Sequence, residues 1–272
     1  GIAGKFDGGA GATISNSNNS GNITASSSYV GGIVGLFGEG DVTNSHSTGH
    51  INGRGYVGGL FGSFGEGDII NSYATGNIDG TDDYVGGLVG EFVIGQIFGS
   101  NASGNVNSSA GWYVGGLVGE FYEEWGAGYA YLISNSHATG DVQGYSRVGG
   151  LVGDFYTGNI TNSYATGNVT GEADVGGLVG YFNAESLLDS YASGNITGNS
   201  NVGGLVGNFD VGYLISNSYA TGDVFLYESA AGGLVGLFKG DSISNSYATG
   251  DVTSLADFSL VTSGGKTGGL VG

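Results

Sequence analysis

One short phrase, Gly-Gly-(Leu/Ile)-(Val/Phe)-Gly, occurs nine times along the 272-residue chain. Successive copies begin 27 to 36 residues apart, at residues 31–35, 58–62, 86–90, 115–119, 149–153, 176–180, 203–207, 232–236 and 268–272. A period in this range is typical of repeat proteins, whose units are too small to bury a core alone and therefore stack on their neighbours. The repeat favours an elongated fold that acts through its surface rather than through a cleft.

The pattern inside each repeat predicts β-structure. In residues 160–182, the most regular copy, three short β-prone runs are separated by Gly and Asn, and no stretch shows a helical period. We therefore predict an all-β, right-handed parallel β-solenoid (β-helix) of about nine three-strand coils, roughly 43 Å long. Residues 1–272 are interpreted as a single repeat domain. Because both ends fall inside a repeat, we expect a segment of a longer array.

Three columns of apolar residues, with one residue per repeat, are predicted to fill the interior. The first column is Ile14, Val42, Ile69, Ile97, Ile133, Ile160, Leu187, Ile215 and Ile243. The second is Ile23, Ile51, Ile78, Val106, Val142, Val169, Ile196, Val224 and Val252. The third is Phe6, Phe37, Phe64, Phe92, Phe121, Phe155, Phe182, Phe209 and Phe238, and its rings from Phe37 to Phe238 are predicted to form a continuous stack. The Leu of each Gly-Gly-Leu is also placed inside, whereas the Val after it is expected to face outward.

Two polar columns are interpreted as structural. The first is mostly Asn, which tolerates the left-handed conformation of a turn: Asn16, Asn44, Asn71, Gly99, Asn135, Asn162, Asp189, Asn217 and Asn245. The second is serine in every repeat, as expected at a tight corner: Ser17, Ser45, Ser72, Ser100, Ser136, Ser163, Ser190, Ser218 and Ser246.

Charge is sparse and one-sided, with 24 acidic residues against five basic ones and a formal net charge of −19. This balance argues against nucleic acid as a partner, because nucleic-acid binding needs clustered Lys and Arg. Anionic membrane surfaces would repel the chain, and no apolar run is long enough for direct insertion. Cysteine is absent, so disulfides and thiolate metal sites are excluded. The composition suits a soluble surface in salty surroundings.

Residues 162–182 combine Asn-Ser-Tyr-Ala-Thr-Gly-(Asn/Asp)-Val with Gly-Gly-Leu-Val-Gly-x-Phe. This combination resembles the GLUG repeat of large bacterial and archaeal surface proteins, adhesin-like proteins and the non-catalytic regions of immunoglobulin A1 metallopeptidases. The resemblance covers essentially the whole chain. It implies a secreted, extracellular β-solenoid at the cell surface, and it supplies no catalytic residues. Insertions at residues 123–131 and 254–267 depart from the repeat, and such insertions often emerge on a binding face.

The residue after each serine forms a column that is predicted to point outward, with members about 4.8 Å apart. The column reads Asn18, His46, Tyr73, Asn101, His137, Tyr164, Tyr191, Tyr219 and Tyr247. Its last four tyrosines are candidates for stacking on sugar rings or on another filament. Alternatively, the rings stack on each other and stiffen the rod. A partial threonine column nearby leaves ice binding open: Thr48, Thr75, Thr139, Thr166, Thr221 and Thr249.

An aromatic group around the first insertion is a second candidate binding site. The group comprises Trp112, Trp125, Tyr129 and Tyr131. We expect these residues to form either a platform that binds a carbohydrate or a partner, or a loop that packs on itself.

Acidic residues in two adjacent Gly-rich turns are candidate Ca²⁺ ligands, with solvated turns as the alternative: Glu39, Asp41, Glu66 and Asp68. Seven sequons are candidate glycosylation sites: Asn18, Asn22, Asn101, Asn107, Asn159, Asn168 and Asn195.

No catalytic residues are predicted, because no acid pair recurs beside a base or a metal ligand. No cofactor is expected except Ca²⁺. The sequence favours a non-enzymatic rod that extends, adheres or assembles into fibres, with other copies or further repeats as end-to-end partners and glycans as candidate ligands. The alternatives are a solenoid that binds glycan or ice, and an accessory segment of a larger surface enzyme. A cluster of acids on one exposed face would favour an enzyme, since some β-solenoids cleave polysaccharides with carboxylates.

Overall fold

The computed structural model describes residues 1–9, 11–122, 131–255 and 266–272, and the chain forms a parallel β-solenoid. Within these ranges it winds through about nine coils without a helix, so no helix able to cross a bilayer is present in them. Each strand pairs in parallel with its equivalent one coil later. The predicted β-solenoid is confirmed, and its right-handedness stays a prediction.

The described strands form five parallel sheets of nine strands, numbered here in the order in which a coil passes through them. Sheet 1 consists of Ala3–Phe6, Val34–Glu39, Phe61–Glu66, Val89–Ile94, Val118–Phe121, Val152–Phe155, Val179–Asn183, Val206–Val211 and Val235–Phe238. Sheet 2 consists of Thr13–Ser15, Asp41–Thr43, Ile69–Ile70, Gln96–Phe98, Leu132–Ser134, Asn159–Thr161, Ser186–Leu188, Leu214–Ser216 and Ser242–Ser244. Sheet 3 consists of Asn18–Asn19, His46–Ser47, Tyr73–Ala74, Asn101–Ala102, His137–Ala138, Tyr164–Ala165, Tyr191–Ala192, Tyr219–Ala220 and Tyr247–Ala248.

Sheet 4 consists of Ile23–Thr24, Ile51–Asn52, Ile78–Asp79, Val106–Asn107, Val142–Gln143, Val169–Thr170, Ile196–Gly198, Val224–Leu226 and Val252–Ser254. Sheet 5 consists of Val30–Gly31, Val57–Gly58, Val85–Gly86, Trp112–Gly115, Ser146–Gly149, Ala173–Gly176, Ser200–Gly203, Ala230–Gly232 and Lys266–Gly268. The coils are numbered 1 to 9 along the chain, each beginning at its strand of sheet 1.

Each coil thus has five short strands, and the predicted number of three is wrong. Strands such as Tyr164–Ala165 have only two residues, which is too short for an alternating pattern to be recognised in the sequence. Asn162 separates sheets 2 and 3 with a left-handed φ of 48°, as predicted for its column. The corner does not interrupt pairing between coils, because the next strand begins with Tyr164 N–H donating to Ser136 O at 3.2 Å.

Two apolar clusters fill the interior. The larger cluster contains the first apolar column, the phenylalanines, the alanines of sheet 3, and the Leu and Val of every Gly-Gly-Leu-Val except the last, in which Leu270 is 39% exposed. The smaller cluster contains the second apolar column and the Val that precedes each Gly-Gly. All three predicted columns are register partners from coil to coil and lie inside.

The prediction that the Val of each Gly-Leu-Val-Gly faces outward is wrong. Leu178 and Val179 are consecutive, and both are 0% exposed. Gly177 and Leu178 form a bend between sheets 5 and 1, so the in–out alternation of a strand does not continue across it. A Cβ on Gly177 would lie 2.1 Å from Gly204 O, which explains why the bend requires glycine.

The predicted phenylalanine stack is confirmed. Ring centroids of successive members are 4.5 to 5.5 Å apart from Phe6 to Phe238. The seven rings from Phe37 to Phe209 are fully buried, whereas Phe6 and Phe238 in the end coils are partly buried. The stack therefore forms a continuous apolar line through the described coils.

Two ladders of polar side chains connect the coils. In the serine ladder, each hydroxyl accepts the backbone N–H of the preceding coil's serine, as from Ser136 N to Ser163 Oγ at 3.2 Å. In the second, which we call the Asx ladder, an Asn or Asp before a sheet 4 strand accepts the N–H of the equivalent residue one coil later, and His50 interrupts the ladder in coil 2. Its members are Asn22, Asn77, Asn105, Asp141, Asn168, Asn195 and Asp223.

Candidate functional site

The tyrosine column lies on the outer side of sheet 3, as predicted. Tyr73 and Tyr247 are 37% and 50% exposed, while the alanine after each tyrosine points into the core. The rings from Tyr164 to Tyr247 stack almost parallel, with centroids 4.9 to 5.1 Å apart. His137 extends the stack at 4.7 Å from Tyr164, and burial lowers its pKa. The rings therefore stack on each other, and most of their faces are not available for a sugar ring.

The threonine column directly follows the strands of sheet 3, two residues after the tyrosine column. All six predicted threonines are exposed, and so are the serines that replace threonine in the other coils, Ser20, Ser103 and Ser193. The outer side of sheet 3 thus carries one line of hydroxyls and one line of mostly aromatic rings.

A cluster of charged side chains, which sequence reasoning missed, lies where sheet 5 meets sheet 1. Glu91, Glu120 and Asp154 are register partners on consecutive strands of sheet 1. Arg147 forms an ion pair with Asp154, and its guanidinium lies 4.2 Å from the centre of the Tyr181 ring. We call Glu91, Glu120, Asp154 and Arg147 the corner cluster.

In the sequence, the feature that could have revealed this cluster is the spacing of Arg147 and Asp154, which lie seven residues apart on either side of the Gly-Gly bend. The residue before Val-Gly-Gly and the residue after Leu-Val-Gly lie side by side, as Arg147 and Asp154 do. The first of these positions is left-handed in seven coils, with φ between 50° and 63°: Tyr29, Tyr56, Tyr84, Tyr113, Arg147, Asp174 and Asn201. Tyr29, Tyr56, Tyr84 and Tyr113 stack there with centroids 4.4 to 4.9 Å apart. Tyrosine and arginine rarely adopt this conformation, so at these five positions the fold imposes it.

The corner cluster is largely closed to solvent. The Asp154 side chain is 0% exposed, and its Oδ1 has no hydrogen-bond partner among the described residues. Burial raises the pKa of Glu120 to about 8, with further increases from Asp154 and Glu91, while Arg147 lowers it. Burial also raises the pKa of Asp154 to about 7, against the lowering effect of Arg147. Glu91 accepts a hydrogen bond from the Ser63 hydroxyl at 2.7 Å, and burial raises its pKa. These acids face each other within a packed corner rather than an open cleft.

The sequence model of the GLUG motif matches the chain three times, at residues 26–52, 144–170 and 227–253. These are GLUG repeats. Residues 144–170 contain one strand of each sheet, from Ser146–Gly149 through Val152–Phe155, Asn159–Thr161 and Tyr164–Ala165 to Val169–Thr170. One GLUG repeat therefore corresponds to one coil of the solenoid. Comparison with curated proteins and with solved structures gave no significant match.

The aromatic group around the insertion does not form a single platform in the described residues. Trp112 is 42% exposed and lies 6.1 Å from the exposed ring of Tyr145. Tyr131 is only 7% exposed and packs edge-on against Phe121 at 6.4 Å, so its prediction as an exposed binding residue is wrong. Tyr131 leads into sheet 2, and its ring joins the larger core. Trp125 and Tyr129 lie outside the described residues.

The four candidate Ca²⁺ ligands line one depression where coils 2 and 3 turn from sheet 1 to sheet 2. Glu39 and Glu66 are register partners. Asp41 Oδ1 accepts the Asp68 N–H at 3.0 Å, so one of its oxygens already stabilises the turn. Burial raises the pKa of Asp68, although the Gln96 N–H that it accepts lowers it. Over the described part of the chain, no group of three or more His, Cys, Asp or Glu is placed to hold a metal ion. Calcium binding stays a prediction.

The seven sequon asparagines differ in exposure. Asn101 and Asn159 are half-buried, and the other five are exposed. Asn22, Asn168 and Asn195 also belong to the Asx ladder, in which their Oδ1 atoms accept backbone N–H groups. Whether these residues are glycosylated stays a prediction.

Proposed function

We propose that these GLUG repeats form a non-enzymatic extracellular rod at the cell surface, which holds attached segments apart, adheres, or assembles with further repeats. The observation that best supports this proposal is that the same sheets, core and hydrogen-bond ladders continue from coil to coil. Five sheets, the phenylalanine stack and the serine ladder all run through the described coils. Close-packed protein interiors have low compressibility, so a continuous core resists deformation. A rod of this kind could hold attached segments at a fixed distance from each other.

Two further features support the proposal. The net charge of −19 keeps separate rods apart at low salt. The corner cluster, which is the main concentration of acids with raised pKa values on one side of the rod, is buried or half-buried and partly paired. It therefore serves packing between sheets 5 and 1 better than it would serve substrate cleavage.

Stacking of one coil on another explains the proposed end-to-end partners. Phe6 and Phe238 occupy equivalent positions in the first and last coils, as do Ile14 and Ile243. A coil from another copy, or from further repeats of the same protein, would continue these columns in register. Because the Val of Gly-Leu-Val-Gly is fully buried in every copy before the last, side-by-side packing cannot use it there.

Surface labelling tests the location. An antibody raised against the folded chain should label intact cells of the source organism as strongly as permeabilised ones. Labelling only after permeabilisation would contradict an extracellular rod. Electron microscopy of the purified protein should show straight particles, and the mass in solution with and without Ca²⁺ or high salt should report assembly. A monomer under every condition would remove the assembly part of the proposal.

The exposed hydroxyl column favours one alternative function, ice binding. Six threonines and three serines lie along one face at the spacing of the coils. Thermal hysteresis or inhibition of ice recrystallisation by the purified protein would support this alternative. A Thr166→Tyr variant with unchanged activity would rule out the column as the ice-binding surface.

A further inference from the structure

A groove of about 310 Å³ runs across the turns that join sheet 1 to sheet 2 in coils 6 to 9. We call it the turn groove. Each coil contributes the same turn, so the groove follows the rod axis: Tyr156, Glu185, Tyr213 and Asp241 line it in successive coils.

Three exposed apolar or aromatic side chains line this groove. Tyr213 is 66% exposed, Val211 is 59% exposed and Tyr156 is 39% exposed. The register between Val179–Asn183 and Val206–Val211 shifts after Phe182, where Asn183 pairs with Val211. An irregularity of this kind redirects side chains at the end of a strand. Unlike the stacked tyrosines of sheet 3, the ring of Tyr213 is mostly open to solvent.

The polar groups of the groove are partly held in place. Asp210 accepts a hydrogen bond from the Tyr181 hydroxyl at 2.8 Å and pairs with Lys239, and these two contacts lower its pKa. Glu185 Oε2 accepts a hydrogen bond from Asn159 at 2.9 Å. The groove is lined by three carboxylates, those of Glu185, Asp210 and Asp241, and by the ammonium group of Lys239, so its formal charge is −2.

Backbone groups in the groove are already used within the solenoid. The N–H of Glu185 donates to Gly158 O at 2.9 Å, that of Tyr213 to Glu185 O at 2.8 Å, and that of Asp241 to Gly212 O at 3.0 Å. A peptide could not add to the groove as a further strand, because that mode of binding needs an unpaired sheet edge. Recognition must therefore come from side chains.

We propose that the turn groove binds a neutral glycan, with a sugar ring stacked on Tyr213 and its hydroxyls donating to the carboxylates of Asp241 and Glu185. An aromatic face beside a few fixed polar groups suits a ring that is apolar on one side and polar at its edge. The charge of −2 disfavours uronic acids and sulfated sugars. Because the groove repeats once per coil, an oligomer can lie along the axis. This site is separate from the rod function and does not rest on it.

Isothermal titration of the full chain with cellohexaose, chitohexaose and an oligogalacturonate tests the proposal. We expect binding of a neutral hexamer, weakening by about tenfold in Tyr213→Ala, and no binding of the anionic oligomer. Tyr227→Ala is the matched control, because Tyr227 is 46% exposed but does not line the groove. An Asp241→Asn variant should also bind more weakly.

Several results would overturn the proposal. These are the absence of binding to both neutral hexamers, equal weakening by Tyr213→Ala and Tyr227→Ala, and preferential binding of oligogalacturonate. Binding of an unstructured peptide in place of the sugars would also count against it. Circular dichroism of each variant shows whether the solenoid is intact, and because Tyr213 is mostly exposed we expect no change in it. A failure here would leave the surface labelling and particle shape unaffected.

Discussion

One serine in each coil bonds to both its own coil and the preceding one. The Ser163 hydroxyl accepts the buried N–H of Ser136 and donates to Thr161 O at 2.8 Å within its own coil. Buried backbone groups need such partners, since leaving one unpaired costs the free energy of its lost hydration. Serine is small enough for the corner and carries both a donor and an acceptor. This explains why the column contains serine in all nine coils.

Removal of one hydroxyl from the ladder should therefore destabilise the rod. We expect Ser163→Ala to lower the free energy of unfolding by about 1–3 kcal/mol, because the buried N–H of Ser136 loses its acceptor. Chemical denaturation checks this value. The control is Ser193→Ala, which removes an exposed hydroxyl and should change stability by less than about 0.5 kcal/mol. Equal effects of the two substitutions would contradict the role of the ladder.

The phenylalanine stack gives a second prediction at this scale. Phe155 contacts Phe121 and Phe182, with centroids 5.0 and 5.5 Å away, and has no exposed surface. Phe155→Ala should cost about 3–5 kcal/mol of unfolding free energy, because it opens a cavity in mid-stack. Tyr219→Ala on the outer column should cost less in the same denaturation experiment. The opposite order would mean that the outer rings contribute more to the stability of the rod than the inner ones.

The bend between sheets 5 and 1 is the element that sequence reasoning treated least well. The core columns, the outward tyrosines and the left-handed asparagines follow from residue type and period, and the structure has them all. Val179 was misplaced because alternation does not continue through Gly177 and Leu178. The corner cluster was missed because its acids occupy a variable position, which holds Ser63 and Tyr181 in the coils on either side, so no uniform column revealed it. The turn groove depends on the shape of four turns together, which no single repeat contains.

The acids of this bend should make stability depend on pH. The pKa of Glu120 rises from 4.5 to about 8 on folding, so the folded state favours its protonated form. Its contribution is therefore fully favourable below pH 4.5 and is lost as the pH rises through about 8. Glu120→Gln keeps the group neutral, so it should be more stable than the wild type at pH 9, by at least about 1.4 kcal/mol, and nearly equal to it at pH 4.

Thermal unfolding of both proteins from pH 4 to pH 9 tests this prediction. The relevant quantity is the difference between the two curves, because Asp154 also has a raised pKa and remains in the variant. Glu228→Gln, which neutralises an exposed acid, is the matched control. A difference between Glu120→Gln and the wild type that stays constant with pH would show that Glu120 is ionised in the fold at neutral pH.

At the scale of the whole molecule, each coil presents nearly the same surface to the next. Ser163 and Ser190 are equivalent, so deletion of residues 164–190 joins Ser163 to Tyr191 and removes one full coil. We expect this variant to fold into a rod that is shorter by about 4.8 Å. Small-angle scattering and circular dichroism measure the length and the fold. Deletion of residues 164–189 shifts the register by one residue and should reduce folding strongly, because core residues then face solvent.

The direction of the hydrogen bonds between coils determines how the rod responds to a pulling force. These bonds join one coil to the next, so they lie along the axis and an end-to-end load separates them one coil at a time. A detached coil of 27 residues, such as residues 164–190, releases roughly 90 Å of extended chain. Single-molecule stretching should therefore give a series of small, nearly equal steps. The rod resists bending, but a pulling force would lengthen it coil by coil, so that it would absorb energy as a tether does.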